Sequence, residues 1–218
     1  MSAILIVFGL AVFALLSGKL KDEEASPVPL KLSDRLGGLW DIAHNGMREN
    51  RFLRAEKALL TILKIDQKNA AAYNRLGILY AKQKEFKDAI DCFEIASSIE
   101  PSASSLHNLG LIYYETEHYE KAALAFEQAL KLEGDLAARH IAYAKVQEKL
   151  GNGRVVLSEL EKAAELEPNQ ESFKLLHKAY LDRDMHEQAS VIERRLQKMI
   201  TTTTGKRRRI LRPKRVVV

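Results

Sequence analysis

At 218 residues the chain has room for one or two ordinary domains, and its single cysteine, Cys92, excludes an internal disulfide framework or a cysteine-built zinc ribbon. The formal charge of +5 is local: Lys206, Arg207, Arg208, Arg209, Arg212, Lys214 and Arg215 lie between Gly205 and Val218 with no acid among them. The 34 basic residues less these seven leave 27 against 29 acidic, a net −2, so the basic balance describes a tail and not a fold.

Ala3 to Leu16 reads AILIVFGLAVFALL, fourteen residues with nothing more polar than Gly9. Continuing through Lys19 to Leu20 gives eighteen, roughly 27 Å at about 1.5 Å per residue. That approaches the hydrocarbon thickness of a bilayer if Lys19 extends its ammonium to the interface. The sequence therefore predicts one transmembrane helix over residues 1–20, a single-pass anchor in the cell membrane. A cleaved signal peptide is the rival. It wants Lys or Arg ahead of the apolar stretch and a small-x-small exit, whereas residues 1 and 2 supply only the terminal amine and Leu15-Leu16-Ser17-Gly18 is a poor cleavage site. Lys19, Lys21, Lys31 and Arg35 follow the segment, so the body is expected on the cytoplasmic side, with Asp22-Glu23-Glu24 diluting the asymmetry. Residues 21–35 read as a linker in which Pro27 and Pro29 prevent a continuous helix.

From residue 36 to 200 the chain repeats itself. RLGILY (75–80) aligns with NLGLIY (108–113), and at the same step Ala89, Phe93 and Ala96 fall on Ala122, Phe126 and Ala129, and Phe86 on Tyr119. One unit back stand Ala43, Phe52, Ala55 and Leu59; one unit forward stand Ala144, Leu160, Ala163 and Pro168. A fifth unit keeps Phe173, Leu176, Tyr180, Ala189 and Leu196. Small residues (Gly77, Gly110, Ala144) sit where two helix backbones approach, and large ones (Tyr80, Tyr113, Phe93, Phe126) fill the space beside them. Pro101, Gly134 and Pro168 close units. The expectation is an all-α solenoid of five helix-turn-helix units at 36–69, 70–102, 103–136, 137–169 and 170–200.

These motifs resemble the tetratricopeptide repeat family: Tyr73, Leu76-Gly77, Tyr80, Ala89, Phe93, Ala96 and Pro101 make nearly a full consensus unit, and Leu106, Leu109-Gly110, Tyr113, Ala122, Phe126 and Ala129 a second. The outer units depart from the pattern, with Gly46 in place of an aromatic, Gln147 in place of a tyrosine, and His177 at the small-residue position. The resemblance implies a right-handed superhelix whose concave wall is lined by the first helix of each pair, a groove that binds peptides or helices of partner proteins, and no shared catalytic site. Trp40 and His44 occupy positions where some members use Lys and Asn to hold a partner's C-terminal carboxylate, so that mode is not expected.

First-helix residues one turn off the packing face are the candidate groove: Trp40, His44, Asn74, Ile78, Lys82, His107, Leu111, Tyr114, Ile141, Lys145 and Lys178. Trp40, the only tryptophan, serves either as a groove anchor or as a cap on the open end of the array. His44, His107, His140 and His177 fall on different first helices with no second metal ligand beside them, and read as groove or surface residues. Gly205-Lys206 lacks the rest of a phosphate loop. Neither an enzyme, a cofactor nor a metal site is expected.

Residues 201–218 are expected to be a disordered basic tail, since like charges repel and no apolar face accompanies them. Its seven cations suit an anionic lipid surface, non-specific nucleic acid, or solubility alone. The leading reading is a membrane-tethered protein–protein interaction scaffold with unidentified protein partners. A nucleic-acid-associated membrane factor and an extracytoplasmic envelope or pilus assembly factor are the alternatives. A reporter fused after Val218 tests the orientation: activity that requires the cytoplasm is expected, and activity seen only on export reverses the topology.

Overall fold

Five antiparallel helix pairs follow one another in the computed structural model, which describes the backbone of residues 30–210 and the side chains of 34–201. They are α1 (Leu30–Arg48) with α2 (Phe52–Ile65), α3 (Ala70–Gln83) with α4 (Phe86–Ile99), α5 (Ala103–Glu115) with α6 (Tyr119–Leu132), α7 (Ala137–Lys149) with α8 (Gly153–Leu166), and α9 (Gln170–Leu181) with α10 (His186–Ile210). Among the described residues there is no strand, and no helix is long and apolar enough to cross a membrane. The expected span at 1–20 lies outside the described residues.

Each pair closes by the same backbone device. Asn50, Lys84, Glu117, Gly151 and Asp184 occupy the left-handed region, one at every turn. The next amide then reaches back to close the helix: Arg51 to the Gly46 carbonyl (2.8 Å), Glu85 to Tyr80 (2.9 Å), His118 to Tyr113 (2.8 Å), Asn152 to Gln147 (2.9 Å) and Met185 to Tyr180 (2.9 Å). These are the six-to-one bonds that satisfy the orphan carbonyls of a helix end. Four of the five turn residues carry a side chain, at a cost of about 1–2 kcal/mol each, which the closing bond offsets.

Within a pair the helices meet at the small-residue register. A Cβ on Gly77 would stand 2.6 Å from the Phe93 ring, and one on Gly110 2.9 Å from Phe126. Both rings are fully buried, as are Ala43 and Ala144 at the matching positions of units one and four. In the fifth unit His177 stands there, half-buried. Between units, tyrosines of first helices donate to glutamates of the preceding second helix: Tyr80 Oη to Glu56 (2.9 Å), Tyr113 Oη to Glu94, and Tyr180 Oη to Glu161 (2.6 Å). Burial and then the neighbouring carboxylate hold all three phenols above their ordinary range, Tyr180 up to about 12. The apolar core runs unbroken from the first unit into the third, since Ile78 and Tyr80 belong to both the α1–α3 and the α3–α7 clusters.

Both ends of the array differ from expectation. Helix α1 begins at Leu30, inside the stretch read as linker, directly after Pro29; a proline just ahead of a helix removes no bond the helix needs. At the other end α10 runs on to Ile210, so the disorder expected from residue 201 is corrected as far as 210. Thr201 fits the same helix by donating to the Gln197 (3.1 Å) and Lys198 (2.9 Å) carbonyls. Arg212, Lys214 and Arg215 lie outside the described residues.

The seam makes a paired prediction. Gly77→Ala overpacks Phe93 and should lower stability by about 1–3 kcal/mol despite the better helix propensity of alanine. Gly37→Ala, on the open face of α1 with nothing near its Cβ, should raise it by about 1 kcal/mol. Urea unfolding followed by circular dichroism decides, and two changes of the same sign would refute the close-approach account.

Candidate functional site

First helices of successive units touch one another, α3 with α5 and α5 with α7, so they form one continuous wall. Along it lies a cavity of about 330 Å³ between α5, α7 and the start of α9. Its floor is Phe126 and Ala137, both buried, with the small side chains of Ala138 and Ala142 leaving room above. Its walls are His107, Leu111, Tyr114 and Ile141, and its rim carries Lys145, Glu115, Glu167, Asn169 and Glu171. A smaller cavity of about 60 Å³ continues the wall, shared by Ile141, Lys145 and Lys178. Six of the eleven residues expected in the groove therefore come together.

The other five are placed differently. Asn74 accepts a hydrogen bond from Asn108 Nδ2 (3.3 Å), which ties the second unit to the third. Ile78 packs into the core on both sides of α3. Trp40 is half-buried against the α1–α3 cluster, while His44 and Lys82 are exposed. Sequence periodicity missed Phe126, which it assigned to helix packing; the missing Cβ of Gly110 lets the ring edge reach the cavity floor. It also missed Glu167 and Asn169, which sit on an inter-unit connection that no helical period indexes.

His107 is the most perturbed group in the cavity. Its Nδ1 is buried without a hydrogen-bond partner, and its ring meets Phe126 edge-on at 5.3 Å. Burial first, and the Arg139 guanidinium second, hold it below its ordinary value, so the imidazole is neutral at physiological pH.

The neighbouring connection, from α6 to α7, shows how the third unit closes without a proline. Arg139, 4% exposed, donates to the Glu133 carbonyl (2.8 Å) and to Glu133 Oε2 (2.7 Å). His140, 2% exposed, places one ring nitrogen 2.6 Å from Glu159 Oε2 and the other 3.0 Å from the Gly134 carbonyl. The expectation of a groove or surface residue is thus corrected for His140: it clasps the turn to α8 from inside the core. Cys92 is a half-buried thiol raised to about 11 by burial and by Asp88 and Asp91, far from the activated thiolate that nucleophilic chemistry needs. Among the described residues no three His, Cys, Asp or Glu side chains converge as metal ligands.

A pH prediction follows from His107. The unfolded chain binds its proton more tightly than the folded one, so the stabilisation is present above the ordinary histidine range and is lost as pH falls through it. Between about pH 7 and 5 wild type should lose stability faster than His107→Phe, measured by urea midpoints. Parallel slopes would show that the ring is not held neutral.

Three comparisons place the fold. Residues 69–132, the second and third units, match the tetratricopeptide repeat family. None of the curated proteins matches the chain. Among solved structures the chain is similar to a MamA protein (17% identity, TM-score 0.70, covering 85% of this chain and 98% of that one) and to MamA from Desulfovibrio magneticus RS-1 (14% identity, TM-score 0.69, 78% and 97%). It is also similar to YrrB, described as a tetratricopeptide protein with an unusual peptide-binding site (20% identity, TM-score 0.61, 75% and 88%). The described residues form an all-α solenoid of the tetratricopeptide type.

Proposed function

We propose that the chain is a membrane-tethered scaffold that holds partner proteins by an extended or helical segment in the cavity between α5, α7 and α9. The observation that carries this reading is the concentration, in one cavity, of aliphatic and aromatic walls, a neutral imidazole and a charged rim. Peptide grooves are built this way: apolar surface supplies affinity, and a few placed polar groups fix direction and register. Leu111, 39% exposed, and half-buried Ile141 face each other across successive units, and a partner side chain seated between them gains the burial they lack. Glu115, Glu167 and Glu171 against Lys145 favour a segment bearing cations along most of its contact. The tether is residues 3–20, whose apolar length suits one bilayer span, with the array on the cytoplasmic side. YrrB, a similarly folded array with an unusual peptide-binding site, lends support.

A photocrosslinking residue at Lys145 should capture a defined partner band in cells, while one at Asn74, engaged with Asn108, should capture less. Leu111→Glu should abolish the Lys145 band with the helical circular dichroism unchanged. Retention of the band in that variant would move partner binding off this cavity.

A further inference from the structure

We propose that the outer face of α2 is a contact surface for an anionic lipid bilayer. Four residues point away from the array along this helix: Leu53, Lys57, Leu60 and Lys64, spaced so that they share one narrow stripe opposite the buried Ala55 and Ile62. Leu53 is 64% exposed and Leu60 41%, and both lysines are exposed. Among the described residues no acid faces this stripe. Glu56 is turned inward to the Tyr80 hydroxyl, and Glu49, before the helix, pairs with Arg51 at 3.3 Å.

At the matching positions each of the other second helices carries an acid that no tyrosine engages: Asp91 on α4, Glu120 and Glu127 on α6, Glu165 on α8 and Glu187 on α10, while Glu94 and Glu161 accept from tyrosines as Glu56 does. The first unit alone alternates leucine with lysine there. Its flank toward α1 is open as well, a cavity of about 470 Å³ walled by Leu39, Ile42 and Ala58 and edged by Arg54.

Leucines interleaved with lysines on one exposed helical face are the composition of a helix lying at a bilayer interface. The apolar tips enter the acyl boundary, and the ammonium groups reach back to headgroup phosphates. The charge pattern separates this occupant from others. A second copy presenting the same face would be repelled by its own lysines. An apolar segment of this chain laid along the stripe would leave both ammonium groups against hydrocarbon, whereas anionic headgroups pair them. The inference stands on described residues and does not require the tether: a peripheral protein would use the same face.

The test uses the full chain with Cys92→Ser and a single environment-sensitive probe at Leu53→Cys, compared with Leu124→Cys, a residue 58% exposed on the third unit. Each is mixed with vesicles of phosphatidylcholine alone or of equimolar phosphatidylcholine and phosphatidylglycerol. The expected result is a blue-shifted, brighter probe at position 53 with the anionic vesicles only, reversed by high salt, and no change at position 124. Lys57→Gln with Lys64→Gln should weaken the docking equilibrium about thirtyfold. Equal responses at both positions, an equal response to neutral vesicles, or a probe at position 53 already shielded without lipid would each overturn the proposal. Alkaline extraction of the vesicles separates it from the tether. If the tether alone fails, the protein washes off but the probe still responds before extraction; if docking alone fails, the protein stays in the bilayer while the probe at position 53 remains in water.

Discussion

The contact on which the rest of this molecule depends is the close approach of the two helices within a unit, where a glycine backbone lies directly against a phenylalanine ring. Gly77 on Phe93 and Gly110 on Phe126 leave no space for even one methyl group. That distance sets how closely the two helices of each central pair approach, and with it how the next pair stacks. With the spacing fixed, the tyrosines of α3 and α5 come within hydrogen-bonding reach of the preceding second helix, and the first helices line up as one wall. The cavity inherits its floor from the same contact, since Phe126 fills the gap left by Gly110 on one side and closes the pocket on the other.

Much of this was legible in the sequence because it is periodic. Steps of 33 and 34 residues marked five repeats, and the described chain folds as five successive helix pairs. The ends were read less well for a physical reason: a terminal helix is bounded by local capping and backbone preference, which leave no repeat to compare. Hence α1 starts earlier than residue 36 and α10 carries the chain helical to Ile210. The turns held a regularity that composition hid. Five residues of five types, Asn50, Lys84, Glu117, Gly151 and Asp184, adopt one backbone conformation, so no single residue type marks it.

The candidate site was half legible. Positions projecting one turn off the packing face found His107, Leu111, Tyr114, Ile141, Lys145 and Lys178, because helical geometry fixes where such residues point. It failed where a neighbour claimed the side chain, as Asn108 does Asn74, and where a contributor sits on a connection, as Glu167 does. His140 shows the same limit from the other side. Its spacing is that of a first-helix residue, but Arg139 and His140 together replace the missing proline of the third connection, a substitution visible only once the turn is folded.

The single tryptophan sits at one end of a body whose units touch only their neighbours. Emission excited selectively from Trp40 therefore reports the end of the array around α1 to α3, whereas far-ultraviolet ellipticity sums over all ten described helices. Divergence between the two signals during unfolding would measure how far the array behaves as coupled segments instead of one cooperative block. The chain thus carries, in one residue, its own gauge of how strongly its end is coupled to its centre.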